Sequence, residues 1–131
     1  MAYRSAQGEV YKALRKQLLR DGIPVGETAD YPRIEIHSFT ENAPTDKDGM
    51  VRSLSCVVES MSVKSYGDAV TMNEGNLERL LEDGWGIDKG FTILGITPDQ
   101  LTELTETLET QEILYRHLQR INVLIWQNSE T

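Results

Sequence analysis

The spacing of apolar residues changes three times along this chain, and that alternation is what most restricts its fold. Ala6, Val10, Ala13, Leu14, Gln17 and Leu18 recur at three- and four-residue steps, one stripe of a helix running from about Ser5 to Arg20. Beyond it, Pro32, Ile34 and Ile36 alternate with Arg33, Glu35 and His37, which is the period of a half-buried strand. Gly22 stands where a left-handed turn would end the helix, and Pro24 prevents its continuation. A proline at the start of the first strand suits a strand beginning or an edge.

A polar loop, Thr40 to Gly49, precedes a long second strand from about Met50 to Met61, in which Leu54, Cys56 and Val58 point one way. The two strands read as a hairpin with a long tip, and long loops often carry function. A second helix is expected from Ser65 or Gly67 to Asp83, on Ala69, Met72, Leu77, Leu80 and Leu81, with Gly84 as terminator. Gly75 inside it costs about 1 kcal/mol against alanine. Trp85 to Gly90 reads as a loop, and Phe91 to Ile96 as a short strand.

Residues 98–114 fit both helix and strand. Thr97-Pro98-Asp99-Gln100 has the form of a helix start, with Leu101, Leu104 and Leu108 continuing at helical spacing. The threonines at 102, 105, 107 and 110 suit a strand. The reading adopted is a short turn of helix at Pro98, then two antiparallel strands joined near Thr110-Gln111-Glu112, the last ending in Ile121 to Trp126. The expected fold is α+β: an antiparallel β-sheet with two α-helices packed on one face. Residues 1–131 form a single domain, with a polar tail from about 127.

Composition narrows function. A chain of 131 residues with 39% hydrophobic and 26% charged residues is ordinary globular protein that buries roughly two-thirds of its unfolded surface. No apolar run approaches the roughly 20 residues of a membrane span, and the N-terminus lacks the apolar core of a secretory signal. One cysteine, Cys56, excludes an internal disulfide and fits a reducing compartment. A formal charge of −8 repels phosphate backbones, which argues against a dedicated nucleic-acid binder but suits a surface that DNA slides past.

Chemistry-bearing motifs are missing from the sequence. His37, His117 and Cys56 belong to no CxxC, HxH or HExxH arrangement. Asp46-Lys47-Asp48-Gly49 resembles part of a calcium loop, yet the register puts Pro44 and Ser55 where carboxylates are needed. Gly84, Gly86 and Gly90 follow a helix, not a strand, so they do not form a dinucleotide cradle. No cofactor, metal site or catalytic residue is therefore expected, and the protein is read as a non-enzyme.

What remains points to interfaces. Lys12, Lys16 and Arg20 form a basic stripe on the first helix, and Glu74, Glu78 and Glu82 an acidic one on the second. Such stripes usually just meet water, where exposed pairs are worth under about 1 kcal/mol; between copies they can meet head to tail and close a ring. Asn42, Asp46, Lys47 and Asp48 in the long loop, with Trp85, complete the candidate interface residues. Trp85 and Trp126 read equally as interface anchors or as plugs at the sheet edge.

The order of elements resembles a known family. An amphipathic helix leads to Tyr31-Pro32-Arg33-Ile34-Glu35-Ile36, a polar loop, then Leu54-Ser55-Cys56-Val57-Val58-Glu59-Ser60-Met61. A helix ending Leu77-Glu78-Arg79-Leu80-Leu81 follows, and the chain closes with Ile96 and a strand pair ending Tyr115-Arg116 and Val123-Leu124-Ile125-Trp126. This is similar to the tail-completion proteins of long-tailed phages and prophages, the tail terminators and head-to-tail joining proteins. The resemblance implies a ring, a hexamer in the assembled virion, built from a chain that can be a monomer in solution. It would cap the tail-tube protein and contact a neck or connector protein. DNA would be passing cargo only, with host cytoplasm as the site of assembly. Two other readings stand beside it: a small acidic inhibitor or immunity-type protein that binds one cationic partner, and an enzyme built around His37 or His117.

Overall fold

The first helix follows its apolar stripe, and its start is fixed by a contact from elsewhere in the chain. A computed structural model describes residues 4–20, 22–26, 30–42 and 51–128. Helix α1 spans Gln7–Leu18. Its cap is tertiary: Ala6 N and Ser5 Oγ both donate to Glu41 Oε1, each at 3.0 Å. A carboxylate at a helix N-terminus satisfies an orphan N–H and meets the positive end of the dipole. At the other end Leu19 turns extended, two residues short of the expected stop. Arg20 then bridges Ile23 around Gly22, which adopts φ +80°. Glycine takes that conformation without steric cost.

Strand β1, Arg33–Glu41, pairs antiparallel with β2, Val51–Ser62. Ile34 and Ile36 face the helices, as alternation requires, and the pairing shifts register between His37 and Thr40, where Ser38 has φ +58°. The strand runs to Glu41, so the loop starts later than expected.

Helix α2, Tyr66–Leu80, begins at a local cap: Ser65 Oγ accepts from Asp68 N at 3.0 Å. It ends three residues before Asp83, and Gly84 lies beyond it at φ +90°.

The Pro98 region is where expectation and structure part. There is no helical turn at Pro98. Residues Phe91–Thr107 form one 17-residue strand, β3, paired antiparallel with β4, Ile113–Gln127. The threonines decide for strand, and Pro98 is accommodated at a register shift between Pro98 and Leu101. The hairpin turn at 109–111 falls at the expected junction. Gln127, expected to open a polar tail, is instead buried at the end of β4.

The sheet is antiparallel throughout, with strand order β1-β2-β4-β3, and the fold is α+β as expected. Both helices lie on one face. Asn76 of α2 donates to Ser60 Oγ of β2 at 2.9 Å, and the Tyr11 ring of α1 meets Phe39 of β1 edge-on at 6.2 Å. Between the layers sit Val10, Leu14, Leu18, Ile34, Leu54, Cys56, Val58, Met72, Ile121, Val123 and Ile125. Burial of each large apolar side chain contributes about 1.5–3 kcal/mol, which makes this layer the main source of stability.

Candidate assembly surfaces

The two charged stripes belong to neighbouring helices of one molecule. Lys12 and Lys16 are exposed on α1, Lys12 within 3.5 Å of Glu9. Glu74 and Glu78 are exposed on α2, and Glu82 is exposed just beyond its end. Arg20 leaves the basic stripe because the helix has already ended. Its guanidinium turns onto α2, donating to Asn76 Oδ1 at 2.9 Å and to Met72 O at 3.4 Å. Burial, and then the charge of Arg79, lower its pKa. Gln17 Nε2 ties the same helices together through Arg79 O at 2.7 Å and Glu82 Oε2 at 3.4 Å. Two of the three basic residues therefore remain available to a partner, and Glu82 is partly engaged inside the subunit.

Of the loop residues, Asn42 closes the β1–β2 turn, its Nδ2 donating to Ser53 Oγ at 2.9 Å. Asp46, Lys47 and Asp48 lie outside the described residues. Trp85 is half-buried against the core, beside the groove between the end of α2 and β3 lined by Leu81, Ile93 and Leu94. Trp126 projects from the other face of the sheet.

The soft ligands do not converge. His117 is buried beneath Tyr66 on the helix face, with ring centroids 5.2 Å apart, whereas His37 is on the opposite face. Cys56 is in the core, and burial pushes its thiol up to about 12 despite the charge of Arg120. Among the described residues no group of three or more His, Cys, Asp or Glu could hold a metal ion. No described helix is long and apolar enough to cross a membrane.

Three features escape sequence reasoning. The first is on the sheet face that no helix covers. Glu59, in the middle of β2, is almost fully buried there by strand neighbours. Its carboxylate takes Arg116 Nε at 2.6 Å and His37 Nε2 at 2.8 Å, and Arg116 reaches on to Glu106 at 3.4 Å. Burial alone would raise the Glu59 pKa, but the hydrogen bonds and charges of Arg116 and His37 outweigh it and hold the carboxyl below its ordinary range. The parity of Glu59 against Leu54, Cys56 and Val58 marks it as outward-facing; only the β2–β4 register reveals its partner.

The second is a buried node. Arg52 is 0% exposed and donates to Arg4 O, to Gln127 Oε1 and to Glu41 Oε2, the last at 3.3 Å. Arg4 and Arg52 both stack over the Phe91 ring, at 5.3 and 5.7 Å.

The third is β3 itself. It ends the sheet, so one side of its backbone has no strand partner among the described residues, and every residue from 97 to 107 is exposed. Leu94, Leu101 and Leu104 are among the most exposed large apolar side chains of the molecule. A long open edge is normally blunted or covered, because it invites another chain.

Among solved structures, a chain of the virion of a native gene transfer agent particle shares this fold. The TM-score is 0.69, covering 94% of this chain and 99% of that chain at 12% sequence identity. At that identity the likeness is one of fold. No protein-family model and no curated protein matches the sequence.

Proposed function

We propose that this chain is a virion structural protein of the tail-completion type, a tail terminator or head-to-tail joining protein without enzymatic activity. Copies form a ring, a hexamer in the assembled particle, that caps the tail tube, meets the neck or connector protein, and lets DNA through as cargo. It assembles in the host cytoplasm and ends in the virion. One observation carries this reading: the end-to-end likeness in fold to a chain of a gene transfer agent virion. The open β3 edge with its exposed leucines supports assembly. The charge of −8 is compatible with a duplex passing without adhesion.

Light scattering and negative-stain imaging, with and without purified tail-tube protein, test it. Rings, alone or on tube ends, are expected. A chain that stays monomeric at high concentration and leaves the tube uncapped overturns the reading.

A further inference from the structure

We infer that Ser38 is an activated hydroxyl, a modification site that accepts one acyl group from an activated ester or thioester. The inference goes beyond the assembly reading and does not depend on it. A bulge in β1 makes the site. Between His37 and Thr40 two residues of β1 face one of β2, so the alternation of faces breaks there. Ser38, at φ +58°, is thereby turned to the side of its neighbour His37. A serine in the left-handed region is uncommon and is held there by what surrounds it.

Three side chains then stand in series. Ser38 Oγ is 2.7 Å from His37 Nδ1, and His37 Nε2 is 2.8 Å from Glu59 Oε1. Glu59 is ionised at neutral pH, so its oxygens only accept, and Nε2 carries the proton of a neutral imidazole. Nδ1 is then the free acceptor, and the Ser38 hydroxyl donates to it. Arg116 Nε, 2.6 Å from the other carboxylate oxygen, holds the group that orients the ring. A nucleophile on a base that a third group aligns is the arrangement that activates a hydroxyl. Ser38 is exposed, and among the described residues no other hydroxyl is bonded to an imidazole. His37 also lines a depression of 320 Å³ beside Tyr11, which offers room for a small acyl group. In the step itself, Oγ attacks the acyl carbonyl carbon while Nδ1 takes the hydroxyl proton. The bond from that carbon to the leaving oxygen or sulfur breaks, and the proton passes to the leaving group. An ester at Ser38 and a free alcohol or thiol result, with no change of oxidation state.

The probe is p-nitrophenyl acetate at neutral pH, with the full chain, read by intact mass and by mapping the acetylated peptide. One acetyl group per chain is expected, on Ser38, and Ser38→Ala should lose it. His37→Gln keeps a side-chain donor for Glu59 but removes the base, and should slow acetylation of Ser38 about a hundredfold. Thr40→Ala, which deletes an exposed hydroxyl of the same strand that has no imidazole partner, should leave the rate unchanged. Thermal melts by circular dichroism establish that each variant is folded under the labelling conditions. Acetyl groups on lysines or on His37 itself, with Ser38 bare, overturn the inference. So does acetylation of Ser38 at the same rate in wild type and in folded His37→Gln, which would make it an ordinary surface serine. The readout is a bond at one atom, so its failure leaves the ring reading untouched, and a chain that forms no rings can still carry the ester.

Discussion

Arg116 Nε lies 2.6 Å from Glu59 Oε2 at the centre of the sheet face that carries no helix, so two adjacent strands are joined by a charged pair as well as by their backbones. Glu59 is buried while Arg116 is about one-third exposed, so neutralising Glu59 removes the carboxylate that both Arg116 and His37 share. Glu59→Gln should lower stability by about 1.5–3 kcal/mol at neutral pH, read from urea denaturation. A change within the error of the wild type would mean that solvent screens this pair as it does a surface one.

The same carboxylate sets a pH dependence. Its folded-state pKa is depressed below the ordinary 4.5. Its contribution is therefore complete above that value and is lost as pH falls through the folded pKa. Wild-type melting temperature should drop more steeply below about pH 4.5 than that of Glu59→Gln, and the difference between the two curves isolates this group from the other acids. Parallel curves would assign the acid sensitivity elsewhere.

Gly75 gives a prediction of the opposite sign. A Cβ built there would meet the Arg20 guanidinium at 3.6 Å, an ordinary contact. Gly75→Ala should stabilise by about 0.5–1 kcal/mol, through helix propensity and a less flexible unfolded chain. Circular dichroism melts would reveal it. Destabilisation would mean that Arg20 needs more room than the backbone shows.

Cys56 should be silent. Burial has removed its thiolate from the accessible pH range, with a pKa of about 12. A thiol reagent at pH 8 should leave the folded chain unlabelled and modify one thiol per chain in denaturant. Rapid labelling of the native protein would place Cys56 outside the core.

Period alone made both helices, the β1–β2 hairpin and the last strand legible, because Val10, Leu14, Ile34, Val58 and Val123 each fall on the buried side their spacing assigns. The strand pair joined near Thr110 was legible too, but the turn of helix expected at Pro98 was not borne out, because the 98–107 leucines fit a helical stripe while the whole segment pairs with β4 as strand. Periodicity assumes that one face is buried, whereas this segment buries neither. Arg20 was misplaced for a different reason: four-residue spacing carries no information once the helix has ended at Leu18. The Glu59 and Arg52 sites depend on residues 57 and 75 positions apart in sequence, a distance that local pattern does not span.

Arg52 offers the strongest test of how the N-terminal segment is held. It is fully buried, and its guanidinium reaches Arg4 O, Glu41 and Gln127 together, so it joins β2, the end of β1, the end of β4 and the residues leading into α1. Removing one member of a buried charged set costs about 3–5 kcal/mol, mostly because its partners are left uncompensated. Arg52→Met keeps the aliphatic volume and loses the donors, so it should destabilise by an amount in that range. Amide exchange should also quicken first at Ala6 to Val10, whose helix start is tied to the same Glu41. Glu41→Gln separates the two roles. It retains a side-chain oxygen for Ala6 N but loses the charge that faces Arg52, so it should cost less than Arg52→Met and leave exchange at the start of α1 slower. If Glu41→Gln proves the worse of the two, the cap on α1, not the buried guanidinium, is what holds the segment to the sheet.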